Sequence, residues 1–258
     1  MTPSTGCYAD TTLELIIQTP PVVNEPSSLE YCDPDADGFG VFDLTTANAE
    51  IANSSENLAI SYHETEADAE NNVNAIVGEY NNIVAYEQTV YIRVESSSVA
   101  TDCGTILSMN LIVNDVPQIN TESSSLFLCD DNTDGFGIFD LSTSNEELLN
   151  GLDPSDFTIT YYEAQDDAQN ALNAIVTPYN YTNTTAFNQF IWARIENNTT
   201  ACYNVGSIEL IINELPILTQ PSPLNLCDDN NSGDEVEGFT LEDSIGEVLQ
   251  GQTGINIS

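Results

Sequence analysis

The feature that most constrains this chain is that it repeats itself. Residues 31–46, which read Tyr31-CDPDADGFGVFDLT-Thr46, recur as Leu128-CDDNTDGFGIFDLS-Thr143. Cys32 thus maps onto Cys129 at an offset of 97 residues, and a third start, Leu226-Cys227-Asp228, follows 98 residues later. Later landmarks keep step: Tyr62 with Tyr161, Ala75-Ile76-Val77 with Ala174-Ile175-Val176, Arg93 with Arg194, Cys103 with Cys202, and Pro117 with Pro216. A fixed period of this length means tandem small domains rather than one large core. Two complete repeats are expected at 21–117 and 118–216. Residues 1–20 read as the C-terminal end of a preceding repeat, because Cys7 is followed by an apolar alternation and Pro21. Residues 217–258 read as the start of a following one. The sequence reads as a window on a longer array, with Met1 an added start or an arbitrary edge.

Inside a repeat the apolar residues alternate with period 2, the signature of half-buried strands. Leu58, Ile60 and Tyr62 share a face, as do Phe157, Ile159 and Tyr161. Val90, Ile92 and Val94 share another, matched by Ile191, Ala193 and Ile195. Met109, Leu111 and Val113 form a closing strand, matched by Ile208, Leu210 and Ile212 and, at the start of the chain, by Leu13, Leu15 and Ile17. Short helices are predicted over Glu146–Asn150, stopped by Gly151, and over Ala69–Val77, started by a Thr65/Asp68 capping box. The expected fold is mainly β, in tandem immunoglobulin-like β-sandwich modules with short helices. Pro20-Pro21, Pro117 and Pro216 after the last strands predict short stiff linkers and a rod.

Charge removes whole classes of function. The net charge is −40, with 42 acidic residues against 2 basic ones, so phosphate backbones and anionic headgroups would be repelled. Nucleic acid is excluded as a partner. Direct membrane insertion is excluded too, because the apolar runs fall far short of the roughly 20 residues needed to span a bilayer. With both cations arginine and a single histidine, acid–base, Schiff-base and imidazole–metal chemistry have almost no residues to run on. The chain reads as no enzyme. His63 is Tyr162 in the next repeat, which argues for a surface strand position and against catalysis.

Each complete repeat carries one early and one late cysteine, so Cys32–Cys103 and Cys129–Cys202 are the expected disulfides, with free buried thiols as the alternative. Cys7 and Cys227 are left without partners in the chain and are not expected to pair with each other. Disulfides would place the protein outside the cytoplasm. The most specific motif is Asp33-x-Asp35-x-Asp37-Gly38, repeated as Asp130-x-Asn132-x-Asp134-Gly135 and more loosely as Asp228-x-Asn230-x-Ser232-Gly233. Oxygens at positions 1, 3 and 5 before a glycine suit Ca²⁺. Asp43 and Asp140 stand next to the position where a complete loop would place its last ligand. A dry Asp-rich turn is the alternative. Arg93 and Arg194 occupy one repeat position, between an aromatic residue at i−2 (Tyr91, Trp192) and Glu95 or Glu196 at i+2. This pattern predicts a structural stack and ion pair, or an aromatic–arginine patch for a sugar or protein partner.

The run CDPDADGFGVFDLT, the Tyr strand, the Asn-Ala-Ile-Val segment, the late Cys and the closing Pro resemble repeat units of large secreted surface proteins of Bacteroidota. These include the gliding-motility adhesins and other cargo of the type IX secretion system. The resemblance implies a cell-surface or released array of immunoglobulin-like modules with adhesion or stalk function; the partners expected are neighbouring modules of the same array and glycans or surface polymers. It also implies O-glycan attachment at Thr11 and Ser244, in Asp10-Thr11-Thr12 and Asp243-Ser244-Ile245. The expected role is a rigid, acidic, calcium-stabilised spacer. The alternatives are a carbohydrate-binding accessory region of a secreted enzyme, or a subunit of a surface filament.

Overall fold

The structure, a computed structural model, describes residues 9–15, 17, 19–97, 103–227, 229, 233 and 235–255. Two compact units divide it, Met1–Pro117 together with Asn197–Tyr203, and Gln118–Glu196 together with Asn204–Ser258. The first repeat contributes β1 (Leu29–Asp33), β2 (Val41–Phe42), α1 (Asn48–Ala52), β3 (Leu58–His63), α2 (Glu66–Asn71), β4 (Tyr80–Asn81), β5 (Glu87–Ser96) and β6 (Gly104–Asp115). The second follows with β7 (Ser124–Asp130), β8 (Ile138–Phe139), α3 (Asn145–Leu149), β9 (Phe157–Tyr162), α4 (Gln165–Asn170), β10 (Tyr181–Thr182), β11 (Asn188–Asn197) and β12 (Tyr203–Glu214). A last short helix, α5 (Ile245–Leu249), lies in the third start.

Each repeat is a four-stranded sheet, ordered β1-β6-β5-β3 or β7-β12-β11-β9, faced by a two-stranded ribbon, β2-β4 or β8-β10. The fold is mainly β with a few short helices, in tandem. Its edge pairing is parallel: β1 runs alongside β6 from Leu29↔Leu111 to Asp33↔Asp115, and β7 alongside β12 from Ser124↔Ile208 to Asp130↔Glu214. The predicted alternation sets the core. Val90, Ile92, Val94 and Leu111 are fully buried, and they pack with Phe42, Leu44, Ile51 and Tyr80 from the facing ribbon and helix. The second repeat builds its own core from Ile191, Ala193, Ile195, Ile208 and Leu210 against Phe139, Leu141 and Leu148. Each aliphatic side chain buried this way contributes about 1.5–3 kcal/mol, the main term holding a sheet of this size together.

Three expectations need correction. The helix read over Ala69–Val77 ends at Asn71, because Asn72 takes a left-handed conformation (φ 52) and Ile76 N–H donates to the Tyr62 carbonyl, pulling the chain onto β3. Val73, Ile76 and Val77 therefore lie beyond it, although the Thr65–Asp68 cap forms as read, Asp68 N–H donating to Thr65 Oγ1 at 3.1 Å. Leu13, Leu15 and Ile17 are exposed and outside any strand. Their counterpart β6 is held by β1 and β5 of its own repeat, whereas among the described residues no strand is paired with this segment. His63 is fully buried rather than on the surface: Nδ1 donates to the Val73 carbonyl (2.8 Å), which leaves Nε2 to accept from Ser61 Oγ (2.9 Å). Tyr162 fills the equivalent place with its hydroxyl against Thr160 Oγ1 at 3.0 Å.

The two repeats differ at the end of this helix in a way that is testable. Where the first has Asn72 at the left-handed cap, the second has the exposed Ala171 at φ 53. Alanine there carries a Cβ clash of roughly 1–2 kcal/mol, which asparagine tolerates better. Ala171→Asn is expected to raise the stability of the second repeat by about 1 kcal/mol in urea unfolding; an unchanged or lowered midpoint would contradict this assignment.

Candidate functional site

The cysteines contradict the expected pairing, and the parallel sheet edge explains why. Cys32 on β1 lies opposite Asn114 near the end of β6, whereas Cys103 immediately precedes the first residue of that same strand. Eleven residues of strand at about 3.3 Å each separate the two levels by roughly 36 Å, far beyond the 7 Å limit for bridged Cα atoms. The same holds for Cys129, opposite Asn213, and Cys202, which immediately precedes β12. The disulfide observed instead is Cys32–Cys202, with Cα atoms 5.5 Å apart and a sequence separation of 170. It replaces both expected bonds. Cys129, the repeat equivalent of Cys32, is exposed, as is Cys227, and Cys7 lies outside the described residues.

Cys202 is presented by a turn that organises itself. Asn197 Oδ1 accepts from the amides of Thr199 (2.9 Å) and Thr200 (3.1 Å), its carbonyl accepts from Ala201 N–H (2.9 Å), and its own N–H donates to the Cys202 carbonyl (2.9 Å). The turn Asn197–Tyr203 belongs to the compact unit of Met1–Pro117. Within that unit Cys202 is fully buried, its Sγ 3.8 Å from the carbonyl oxygen of Asn114, the strand partner of Cys32. The Asn197 side chain, the first residue of an Asn-x-Thr run, is thus engaged in the turn that carries the bond.

The two arginines form a buried clasp, the same in both repeats. Arg93 is 4% exposed; its Nε donates to Glu95 Oε1 at 2.7 Å, and its Nη1 donates to the carbonyls of Ala69 and Glu70, each at 3.0 Å. Arg194 repeats this on Glu196 and on the Ala168 and Gln169 carbonyls at 3.2 and 3.1 Å. The pairing with glutamate follows the expectation. The carbonyls were not read from sequence: they are C-terminal acceptors of α2 and α4, Ala69 also accepting from the Asn72 N–H, and a guanidinium beneath them completes the helix end and pins it to β5 or β11. Gly104 leaves room for the first clasp, since a Cβ there would come within 3.1 Å of the guanidinium carbon.

In the Asp loops the leading carboxylates turn inward. Asp33 is buried, accepting from the amides of Asp35 (3.1 Å) and Gly38 (2.7 Å); Asp130 accepts from Asn132 (3.2 Å), Thr133 (2.7 Å) and Gly135 (2.8 Å). Gly38 and Gly135 have φ 80 and 75, and a Cβ on either would meet the side chains of Ala85 and Tyr86, or of Ala186 and Phe187, at about 3 Å. An amide clamp missed by sequence reading closes the loop. Asn82 Oδ1 accepts from Gly40 N–H (2.7 Å) while its Nδ2 donates to the Gly38 carbonyl (2.9 Å), and Asn183 does the same with Gly137 (2.8 Å) and Gly135 (2.9 Å). The signal was the recurrence of Asn at one repeat position; in the second repeat it is disguised as an Asn-x-Thr run.

Asp33, Asp35 and Asp37 bring carboxylate oxygens within 4.8 Å of one another. The crowding shifts their acidities. Burial opposes the Asp33 charge, but its hydrogen bond with Asp35 and the amides of Gly38, Asp35 and Ala36 outweigh burial and hold its pKa below the ordinary range. Asp35 is pushed up by that shared hydrogen bond and by the Asp37 charge. In the second repeat Asn132 Nδ2 donates to Asp134 Oδ2 at 2.8 Å, and burial of Asp130 is outweighed by the amides of Gly135, Asn132, Thr133 and Asp134, which hold its pKa down. A carboxyl more acidic folded than unfolded stabilises fully above the unfolded value of about 3.9 and loses that contribution as pH falls through the folded one. Asp35 works the other way, favouring the fold when neutral and opposing it as pH rises through its raised value. Asp130→Asn is therefore expected to flatten the acid limb of the second repeat's stability below about pH 4, read from unfolding midpoints across pH. An acid limb as steep as the parent's would contradict the amide nest.

The remaining candidates are dispersed. Asp43 and Asp140 cap the turns that follow them, accepting from Thr45 N–H and Ser142 N–H at 3.0 Å each. Asp228, Asn230 and Ser232 lie outside the described residues. Thr11 is exposed, and Ser244 Oγ donates to the Leu241 carbonyl at 2.7 Å. No described helix is long and apolar enough to cross a membrane.

No curated protein matches the chain. Among solved structures it is similar to an endo-fucoidan hydrolase of glycoside hydrolase family 107 (13% identity, 78% of this chain and 31% of that one, TM-score 0.21). It is also similar to the protocadherin gamma B7 extracellular cadherin domains 1–4 (8%, 77% and 53%, TM-score 0.21). A third is the Bacteroides ovatus mixed-linkage glucan utilization locus protein SGBP-B, solved with a mixed-linkage heptasaccharide (10%, 77% and 47%, TM-score 0.19). The chain spans about a third of the hydrolase and about half of each of the other two. Residues 28–117 and 125–216 each match the family described as the Flavobacterium inter-domain disulphide bond domain, and the chain belongs to that family, carrying two copies in tandem.

Proposed function

We propose that this chain is a stretch of an extracellular surface protein of adhesin or stalk type, in which it serves as a non-catalytic, stiff, acidic spacer. The observation that carries this reading is the Cys32–Cys202 bond, from the first strand of one repeat to the entry of the last strand of the next. Applied along an array, that register pairs every early cysteine with the late cysteine one repeat onward, so Cys129 and Cys227 wait for late cysteines of following repeats. Such bonds persist in oxidising surroundings, and an acidic surface keeps a long array soluble and apart from its copies. Thiol counting on the native surface protein tests it. No accessible thiol is expected before reduction and two per repeat after it; one free early cysteine per repeat would contradict the reading.

Calcium belongs to the same proposal. Asp33, Asp35 and Asp37 supply a hard-oxygen donor set, and the crowding that pushes the Asp35 pKa up is what a cation would relieve. The ion would neutralise charge and do no chemistry. With a Kd of about 0.1–1 mM, 10 mM Ca²⁺ adds about 1.4–2.7 kcal/mol. The thermal midpoint is expected to rise in Ca²⁺ relative to EDTA in the parent and not in Asp35→Ala; an unmoved parent would reject calcium and leave the dry turn.

A further inference from the structure

Resting on the spacer reading, we infer that the chain is a tension-bearing element in which the Cys32–Cys202 bond takes residues 33–201 out of the load path, and the parallel strand pairs resist when that bond is opened. The first part is topological. Tension entering from the N-terminal side reaches Cys32, crosses the sulfurs to Cys202, and leaves along β12. The intervening sequence, a separation of 170 residues, contains β2 to β11 and carries none of the pull. At roughly 3.3–3.6 Å per extended residue, about 560–610 Å of chain is locked away.

The second part follows from the sheet edges. In each repeat the chain enters at the N-terminal end of β1 or β7 and leaves at the C-terminal end of β6 or β12. The members of each pair are parallel neighbours, so these points lie at opposite ends of the pair. A pull then slides the strands past each other and loads the whole ladder at once, Leu29↔Leu111 to Asp33↔Asp115 in one repeat and Ser124↔Ile208 to Asp130↔Glu214 in the other. Antiparallel terminal strands would instead peel one bond at a time. The same edge that brings Cys32 to the level of Asn114 thus makes the reserve mechanism.

Single-molecule pulling of the 258-residue chain between handles at its two ends tests both parts, after alkylation and mass mapping have established whether Cys32 and Cys202 are bonded. The oxidised chain is expected to stop extending at about 300 Å, and the reduced chain to reach about 900 Å through two force peaks with steps of about 300 Å each. A Cys32→Ser/Cys202→Ser double variant that retains its circular dichroism spectrum should behave like the reduced chain. If the bond is absent from the oxidised protein, the spacer reading fails with the inference. If the bond is present but the reduced chain and the variant lengthen without force peaks, the load-bearing inference is overturned while the spacer reading stands.

Discussion

Opening the Cys32–Cys202 bond, by reductant or by a Cys32→Ala/Cys202→Ala double replacement, is expected to lower the stability of the chain by about 5 kcal/mol in the chain-entropy limit. The magnitude follows from the loop: a separation of 170 residues is closed in the unfolded oxidised chain and free in the reduced one. Cys202 is fully buried and its loss removes little packing, so entropy dominates. Both repeats share the loop, and unfolding of either is penalised while the bond holds. Urea unfolding with and without reductant reads the effect. Midpoints that coincide would mean that the bond closes no loop in the unfolded chain.

The second large effect belongs to the arginine clasp. Arg93→Ala leaves the Glu95 carboxylate without its 2.5 Å partner, and it takes the guanidinium donor away from the Ala69 and Glu70 carbonyls beneath α2. Breaking a buried pair from one side costs about 3–5 kcal/mol, because the remaining charge stays desolvated. Glu95 retains 24% exposure, which places the expectation near the lower figure. Arg93→Lys is expected to recover less than half, since one ammonium cannot reach both the carboxylate and two helix-end carbonyls as a planar fork does. Arg194 should repeat the pattern in the second repeat. Thermal unfolding of the four variants decides it, and a lysine variant as stable as the parent would reduce the clasp to a simple ion pair.

The strands and their buried faces were legible because period 2 is a local signal: Val90, Ile92 and Val94 cannot face the core except together. Helix ends were less so. The stop at Asn72 depends on a left-handed residue that asparagine allows without requiring, and Ala171 adopts it with no sequence cue at all. His63 read as a surface residue because its polar partners, Ser61 and the Val73 carbonyl, are made by the fold around it. The disulfide was not legible. Early and late cysteines recur with the same period whether they pair within a repeat or across two, so spacing is blind to the choice. Strand order decides it, and strand order is a long-range property: only once β1 lies parallel to β6 do Cys32 and Cys103 fall at opposite ends of one strand. The Asp motif was found, but its leading aspartates are occupied by the amides of Gly38 and Gly135, which composition does not reveal.

Disulfide mapping of the oxidised chain tests the central claim most directly. With only Arg93 and Arg194 as basic residues, an acid protease rather than trypsin must cut it, and working at low pH also suppresses thiol exchange. The predicted result is a peptide pair containing Cys32 and Cys202 that separates on reduction, with neither cysteine linked to Cys103 or Cys129. Recovery of Cys32–Cys103 together with Cys129–Cys202 would contradict the cross-repeat bond and, with it, the account of this chain as a stapled spacer.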